Sequence, residues 1–208
     1  MEGVEAAFPG HDQALVIKDL LWACVVCGAE EGVGASRRGA ERCAACGAEY
    51  SRGTGAEIVV KEQGRDPVAR SAGEWITSLP PIEPAGSSRA QVRVAVEDKP
   101  IYSFGSYMGR YELMGPPKAG VLELDGNRLR FIADEDIGFD WALLELSAIQ
   151  MSSSTLQLKA KRQPVVTIRF KRSSAKLWEE RLQAAVRDAY ARAGLGDIVE
   201  FQPRIATR

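Results

Sequence analysis

Four cysteines stand in two copies of one short pattern. Cys24-Val25-Val26-Cys27-Gly28-Ala29 and Cys43-Ala44-Ala45-Cys46-Gly47-Ala48 both read Cys-x-x-Cys-Gly-Ala. Fifteen residues lie between Cys27 and Cys43, and the two copies take up every cysteine in the chain. Paired Cys-x-x-Cys units at this separation have the spacing of a metal site. Two cysteines three apart turn both sulfurs toward one cation if the backbone bends tightly, and the glycine after each second cysteine allows the bend by taking a positive φ. Amides in the bend can then donate to the thiolates and offset the repulsion between close negative charges. Four thiolates suit tetrahedral zinc with no open coordination position, so Cys24, Cys27, Cys43 and Cys46 are expected to hold a structural Zn2+. Iron in the same four-sulfur cage meets the same geometric demand. A thioredoxin-like role would call for one Cys-x-x-Cys at a helix start in a βαβ setting, whereas here there are two copies and no such setting.

Other chemistry has few carriers. The one histidine, His11, falls in a polar N-terminal stretch. A His-based triad or acyl-transfer site needs a folded histidine beside a partner. No G-x-x-x-x-G-K phosphate loop occurs, and Gly105, Gly109 and Gly115 are loosely spaced without a strand-to-helix context. A non-enzymatic protein is expected. The formal net charge of −1 leaves no bulk attraction for polyanions, so any anion must be met by a local patch.

One such patch is visible. Thr155 to Arg172 carries Lys159, Lys161, Arg162, Arg169, Lys171 and Arg172 and no acidic residue. If Leu156, Leu158, Val166, Ile168 and Phe170 face a core, strand alternation puts Lys159, Lys161, Arg169 and Lys171 on the outer face. Lys159, Lys161, Arg162, Arg169 and Lys171 are therefore candidate anion-binding residues. Two plainer readings stand beside this one. In one the charges form a solvated face that blunts edge pairing; in the other they balance Glu123, Asp125, Asp134, Glu135, Asp136, Asp140 and Glu145 on the preceding strands.

The elements that must position these residues are mostly strands. Ala14 to Cys24 is expected to enter the first cysteine turn as a strand, and Ala56 to Val60 to close the small unit. Lys61 to Ser88 is rich in Gly, Pro and Ser and reads as a linker containing one short helix, Ala72 to Leu79, whose Trp75 pins it to a neighbouring domain. Strands are expected at Gln91 to Val96, at Gly120 to Leu124 and Arg128 to Ala133 around Asp125-Gly126-Asn127, and at Thr155 to Ala160 and Val165 to Phe170. Phe139 to Met151 is an apolar stretch. Leu177, Trp178, Leu182, Ala185, Val186, Ala189 and Tyr190 then recur at helical spacing, with Ser173 or Ser174 as cap and Gly194 as stop.

From about Leu20 to Val60 these residues resemble the zinc-ribbon, or rubredoxin-type, knuckles. From about Arg89 to Ala193 the chain resembles pleckstrin-homology-like (PH-like) or GRAM-like domains, in which a C-terminal helix plugs one end of a bent, partly open barrel. The hairpin Val121 to Phe131, the stretch Trp141 to Ile149, and Trp178 followed by Leu182 and Val186 carry that second resemblance. Together they imply a mainly β (α+β) fold. The implied division is a tail at 1–13, a zinc ribbon at 14–60, a linker at 61–88, a PH-like domain at 89–195 and a tail at 196–208. Such domains commonly bind lipid headgroups or proteins. Phosphoinositide binders among them carry several basic residues around the first hairpin, where this chain has only Lys99, Arg110 and Lys118, scattered.

The resulting expectation is a cytoplasmic adaptor that docks a protein partner. No run approaches the ~18 apolar residues of a membrane span, and the N-terminus lacks the basic start of a secretory signal. A second expectation is a peripheral membrane module that meets anionic lipid through the 155–172 hairpin. The third is nucleic-acid binding by the ribbon through Arg37, Arg38, Arg42 and Arg52. It is opposed by Glu30, Glu31, Glu41, Glu49 and Glu57 and by the lack of interleaved aromatics.

Overall fold

Short strands joined by tight turns build the first of two antiparallel sheets. The computed structural model describes residues 17–35, 41–54, 57–83, 86–103, 109–133, 137–152 and 154–196. The expected tail at 1–13 with His11, and Arg37, Arg38 and Asp134 to Asp136, lie outside them, as does the expected C-terminal tail from residue 197 on. The first unit runs α1 (Ile17–Leu20), β1 (Val33–Ala35), β2 (Glu41–Cys43), β3 (Glu49–Arg52), β4 (Glu57–Lys61), β5 (Val68–Ser71) and α2 (Ala72–Thr77). The five strands pair in chain order.

Two of these elements differ from the sequence reading. The segment expected to enter the first cysteine turn as a strand is a single helical turn over its described part. Glu41 explains it: its carboxylate accepts from the amides of Ile17 at 3.0 Å and Lys18 at 3.1 Å, satisfying donors that a helix start leaves unpaired. Val68–Ser71, within the stretch read as linker, pairs with β4 as the edge strand of the sheet. Ser71 then caps α2 in a reciprocal box with Glu74. The helix brings Trp75 into the first core, where its indole donates to the Ile58 carbonyl at 2.9 Å and Arg70 covers the ring.

The second sheet holds β6 (Ser87–Ser103), β7 (Gly109–Met114), β8 (Lys118–Asp125), β9 (Arg128–Ala133), β10 (Ile137–Ala142), β11 (Leu146–Ser152), β12 (Thr155–Ala160) and β13 (Val166–Phe170). Its order is β10-β9-β8-β6-β13-β12-β11, with β7 paired to the far end of β6. β10 and β11 are at opposite ends of this order, yet only the 3-10 turn Leu143–Glu145 joins them. The sheet must therefore curl until its two edges approach, which makes it a half-barrel. The apolar stretch from Phe139 to Met151 is thus two strands with a corner between them, and buried Leu143 sits at that corner.

Helix α3 (Ala175–Arg192) plugs the half-barrel, packing on β11, β12 and the Leu143–Glu145 turn. Ser174 caps it by accepting from the amides of Lys176 and Leu177. Trp178, Leu182, Ala185, Val186 and Ala189 enter one continuous core with Leu122, Leu129, Leu156, Leu158 and Ile168. Trp178 is fully buried, stacks on Phe170, and donates from its indole to Ser173 Oγ at 3.1 Å.

The two sheets meet at the start of α3. Trp22 and Ala23, just before the first cysteine turn, are buried against Leu177. Glu31 accepts from the Ser174 amide at 2.8 Å and from the Ser173 hydroxyl, and Glu30 pairs with Arg181. Chain that leaves the first cysteine turn therefore extends the capping of the helix that plugs the half-barrel.

Candidate metal centre

Each cysteine pair sits on the same backbone turn. In the first, the Cys24 amide donates to the Ala29 carbonyl at 3.0 Å and the Gly28 amide to the Cys24 carbonyl at 2.8 Å. In the second, the Cys43 amide donates to the Ala48 carbonyl at 2.8 Å and the Gly47 amide to the Cys43 carbonyl at 3.0 Å. Gly28 and Gly47 hold φ of 74° and 76°, conformations that a side chain would strain. Gly32 passes close by: a Cβ there would lie 3.2 Å from the Cys43 sulfur and 2.9 Å from the Ala29 carbonyl oxygen.

The two turns face each other, and all four sulfurs lie within 4.8 Å of one another. Across the pairs, Cys24 Sγ and Cys46 Sγ are 3.6 Å apart, and Cys27 Sγ and Cys43 Sγ are 3.7 Å apart. These distances are far beyond a disulfide bond of about 2.05 Å. They match the edge of a sulfur tetrahedron around one cation, about 3.8 Å for a metal–sulfur bond near 2.3 Å. Cys24 and Cys43 are buried, whereas Cys27 and Cys46 reach the surface. Four cysteines are close enough to hold one metal ion, and no fifth side chain is needed to close the cage.

Burial and hydrogen bonds together set unequal proton affinities among the sulfurs. Burial alone would push the Cys24 thiol up, but the Tyr50 hydroxyl and the amides of Cys27 and Val26 outweigh it and hold it at about 7. Cys46 is pushed up to about 12, first by desolvation and then by the neighbouring sulfurs, against the opposing Ala48 amide. Four close sulfurs cannot all ionise without a cation among them, and a cation that binds displaces their protons.

Tyr50 joins the candidate site without having been singled out by the sequence. It is buried on β3, where its hydroxyl donates to Cys24 Sγ at 3.1 Å and accepts from the Val25 amide at 3.2 Å. It ties the inner sulfur to the backbone of its own turn, as outer-shell partners of metal ligands do. Its only mark in the sequence is an aromatic four residues after Cys46.

No family model matches the chain, and no curated protein shows significant similarity to it.

The five candidate anion residues are spread along β12, β13 and the turn between them. Inward-facing Leu156, Leu158, Val166 and Ile168 are buried as expected, leaving the basic side chains outward. Lys159, Lys161 and Arg162 cluster at the β12–β13 turn, whereas Arg169 and Lys171 lie at the other end of β13. Lys159 is one residue beyond the Leu158–Val166 pair, so at about 3.3 Å per residue it lies roughly 13 Å along the strands from Arg169. Of the candidate nucleic-acid arginines, Arg42 pairs with Glu49 across β2 and β3. Lys118 is exposed on β8, opposite Val94.

Proposed function

We propose that the protein is a non-enzymatic zinc-binding adaptor. In this reading the cysteine cage is a structural zinc ribbon and the curled sheet is a PH-like module that docks a protein partner. The observation that carries it is the sulfur cluster itself. It offers four sulfur ligands within 4.8 Å of one another, enough to complete the coordination of a tetrahedral cation and leave no position for a substrate or a reactive water. Zinc is preferred to iron because a closed four-thiolate site that only folds a small sheet needs no electron carrier.

A half-barrel plugged by a C-terminal helix supports the PH-like reading of the second sheet. The junction at Glu30, Glu31, Trp22 and Leu177 supports a joint action of the two sheets, because it sets one against the other through side chains of the metal turn. A partner that reads both would meet a fixed surface. The observations favour this over nucleic acid, since Arg42 is already paired.

The test combines metal analysis of reduced, purified protein with in-cell crosslinking of the wild type and Cys46→Ser. The reading expects one zinc per chain and a partner captured by the wild type and lost with the variant. Absence of metal would refute the ribbon. A partner held equally well by the variant would refute the ribbon's part in docking.

A further inference from the structure

We propose that a trough across β13, β6 and β8 is a binding site for a phosphate-bearing ligand, clamped by Arg93 and Arg169 with Lys171 as third cation. The site follows from register. Arg169 lies directly opposite Arg93, and Arg93 directly opposite Ala119. Two residues along, the Lys171 amide donates to the Gln91 carbonyl at 3.0 Å, and Gln91 lies opposite Val121. Val92 is buried and Phe170 packs on the core, so alternation turns Arg93, Arg169, Gln91 and Lys171 outward. Between them is a trough of about 630 Å³ whose lining includes no acidic residue. That volume is in the range of small-molecule sites.

Like charges on directly opposite residues of paired strands repel. Among the described residues neither Arg93, Arg169 nor Lys171 has an ion pair. Acids on the neighbouring strands are engaged elsewhere: Glu123, the next outward residue after Val121 on β8, pairs with Arg89, and Asp140 bridges Arg128 and Arg130. A phosphate dianion between the two guanidiniums would remove the repulsion. Guanidinium forks match phosphate oxygens in geometry, and a lysine adds a point charge. Ala119 completes the row with a side chain too small to fill the space over β8. The site takes in Arg93, which lies far in sequence from the basic hairpin, and leaves out Lys159, Lys161 and Arg162. It stands independently of the adaptor reading.

The experiment uses the full chain and follows amide and arginine Nε–H resonances. Inorganic phosphate is titrated in one series, and vesicles of phosphatidylcholine with and without phosphatidic acid in another. Saturable shifts at Val92–Val94, Ala119–Val121 and Ile168–Lys171 are expected. Affinity should fall roughly tenfold in Arg93→Gln and in Arg169→Gln, as for loss of a charge-assisted contact. Lys161→Gln, which removes the same charge at the far end of β13, should bind as the wild type does. The spectrum of each variant reports whether it is folded. Phosphate binding without vesicle binding assigns a soluble phosphoester, and vesicle binding with the same arginine dependence assigns a lipid headgroup. No saturable response to either probe, or equal weakening by Lys161→Gln, overturns the proposal.

Discussion

Tyr50→Phe isolates one atom of the metal site. The ring stays in the core between the two turns, and only the hydroxyl that joins Cys24 Sγ to the Val25 amide is removed. Two effects then add. The inner thiolate loses a donor, and a hydrogen bond to a charged group contributes about 1.5–3 kcal/mol. The Val25 amide also loses its acceptor, though Val25 is only half-buried and water can replace part of that bond. A net loss of roughly 1.5–3 kcal/mol corresponds to a metal affinity about ten- to a hundredfold weaker, the range in which outer-shell partners of metal ligands act. Competition with a chelator of known affinity measures it, and thermal unfolding of the metal-loaded protein checks that the sheet survives. An unchanged affinity in a folded variant would refute the argument that Tyr50 holds the ligand.

Four further outcomes are expected. Cys24→Ser should lose the metal and the hydrogen-exchange protection of the first sheet while leaving most of the half-barrel protected; simultaneous loss in both sheets would make them one cooperative unit. Glu31→Ala should cost about 1 kcal/mol in urea unfolding, because it removes the acceptor at the Ser174 amide where α3 begins, and a neutral result would show that the junction adds nothing to the helix. Trp178→Ala should destabilise the half-barrel by about 3–5 kcal/mol in the same assay, and a near-neutral effect would undo the plugging role of α3. Acidification should weaken metal binding throughout the neutral range. A cation must displace the Cys46 proton at every pH below about 12, and the weakening should steepen below pH about 7, where Cys24 also binds a proton.

The parts of the fold that were legible in the sequence are those with a strong local signal. The Asp125-Gly126-Asn127 turn fixed the β8–β9 hairpin, and the apolar spacing from Leu177 to Tyr190 fixed α3 with Ser174 as its cap. Alternation was less reliable where a strand changes partners. Val92 and Val94 are buried, but Val96 is 40 % exposed: the pairing of β6 with β8 ends at Val94, that with β13 continues to Val96, and that with β7 begins at Glu97. β5 was hidden because Val68–Ser71 is an exposed edge strand with no buried face, so the residues carry no alternating pattern. α1 was hidden for a different reason: a carboxylate 24 residues away satisfies its first amide.

The candidate site divides in the same way. The cysteines could be read because metal ligation requires particular residue types at particular intervals along the chain. Tyr50, Glu31 and Arg93 could not, because each acts through tertiary neighbours. Tyr50 reaches the Cys24 turn from β3, Glu31 reaches Ser174 across the junction, and Arg93 meets Arg169 only through the register of β6 and β13. The basic residues of the hairpin spread along it: Lys159, Lys161 and Arg162 lie toward the β12–β13 turn, and Arg169 and Lys171 toward the other end of β13.

X-ray absorption at the metal edge of protein purified under reducing conditions tests the central claim most directly. The account predicts a zinc edge and a first shell of four sulfur scatterers at about 2.3 Å. A shell containing nitrogen or oxygen, fewer than four sulfurs, or no metal at all would contradict it.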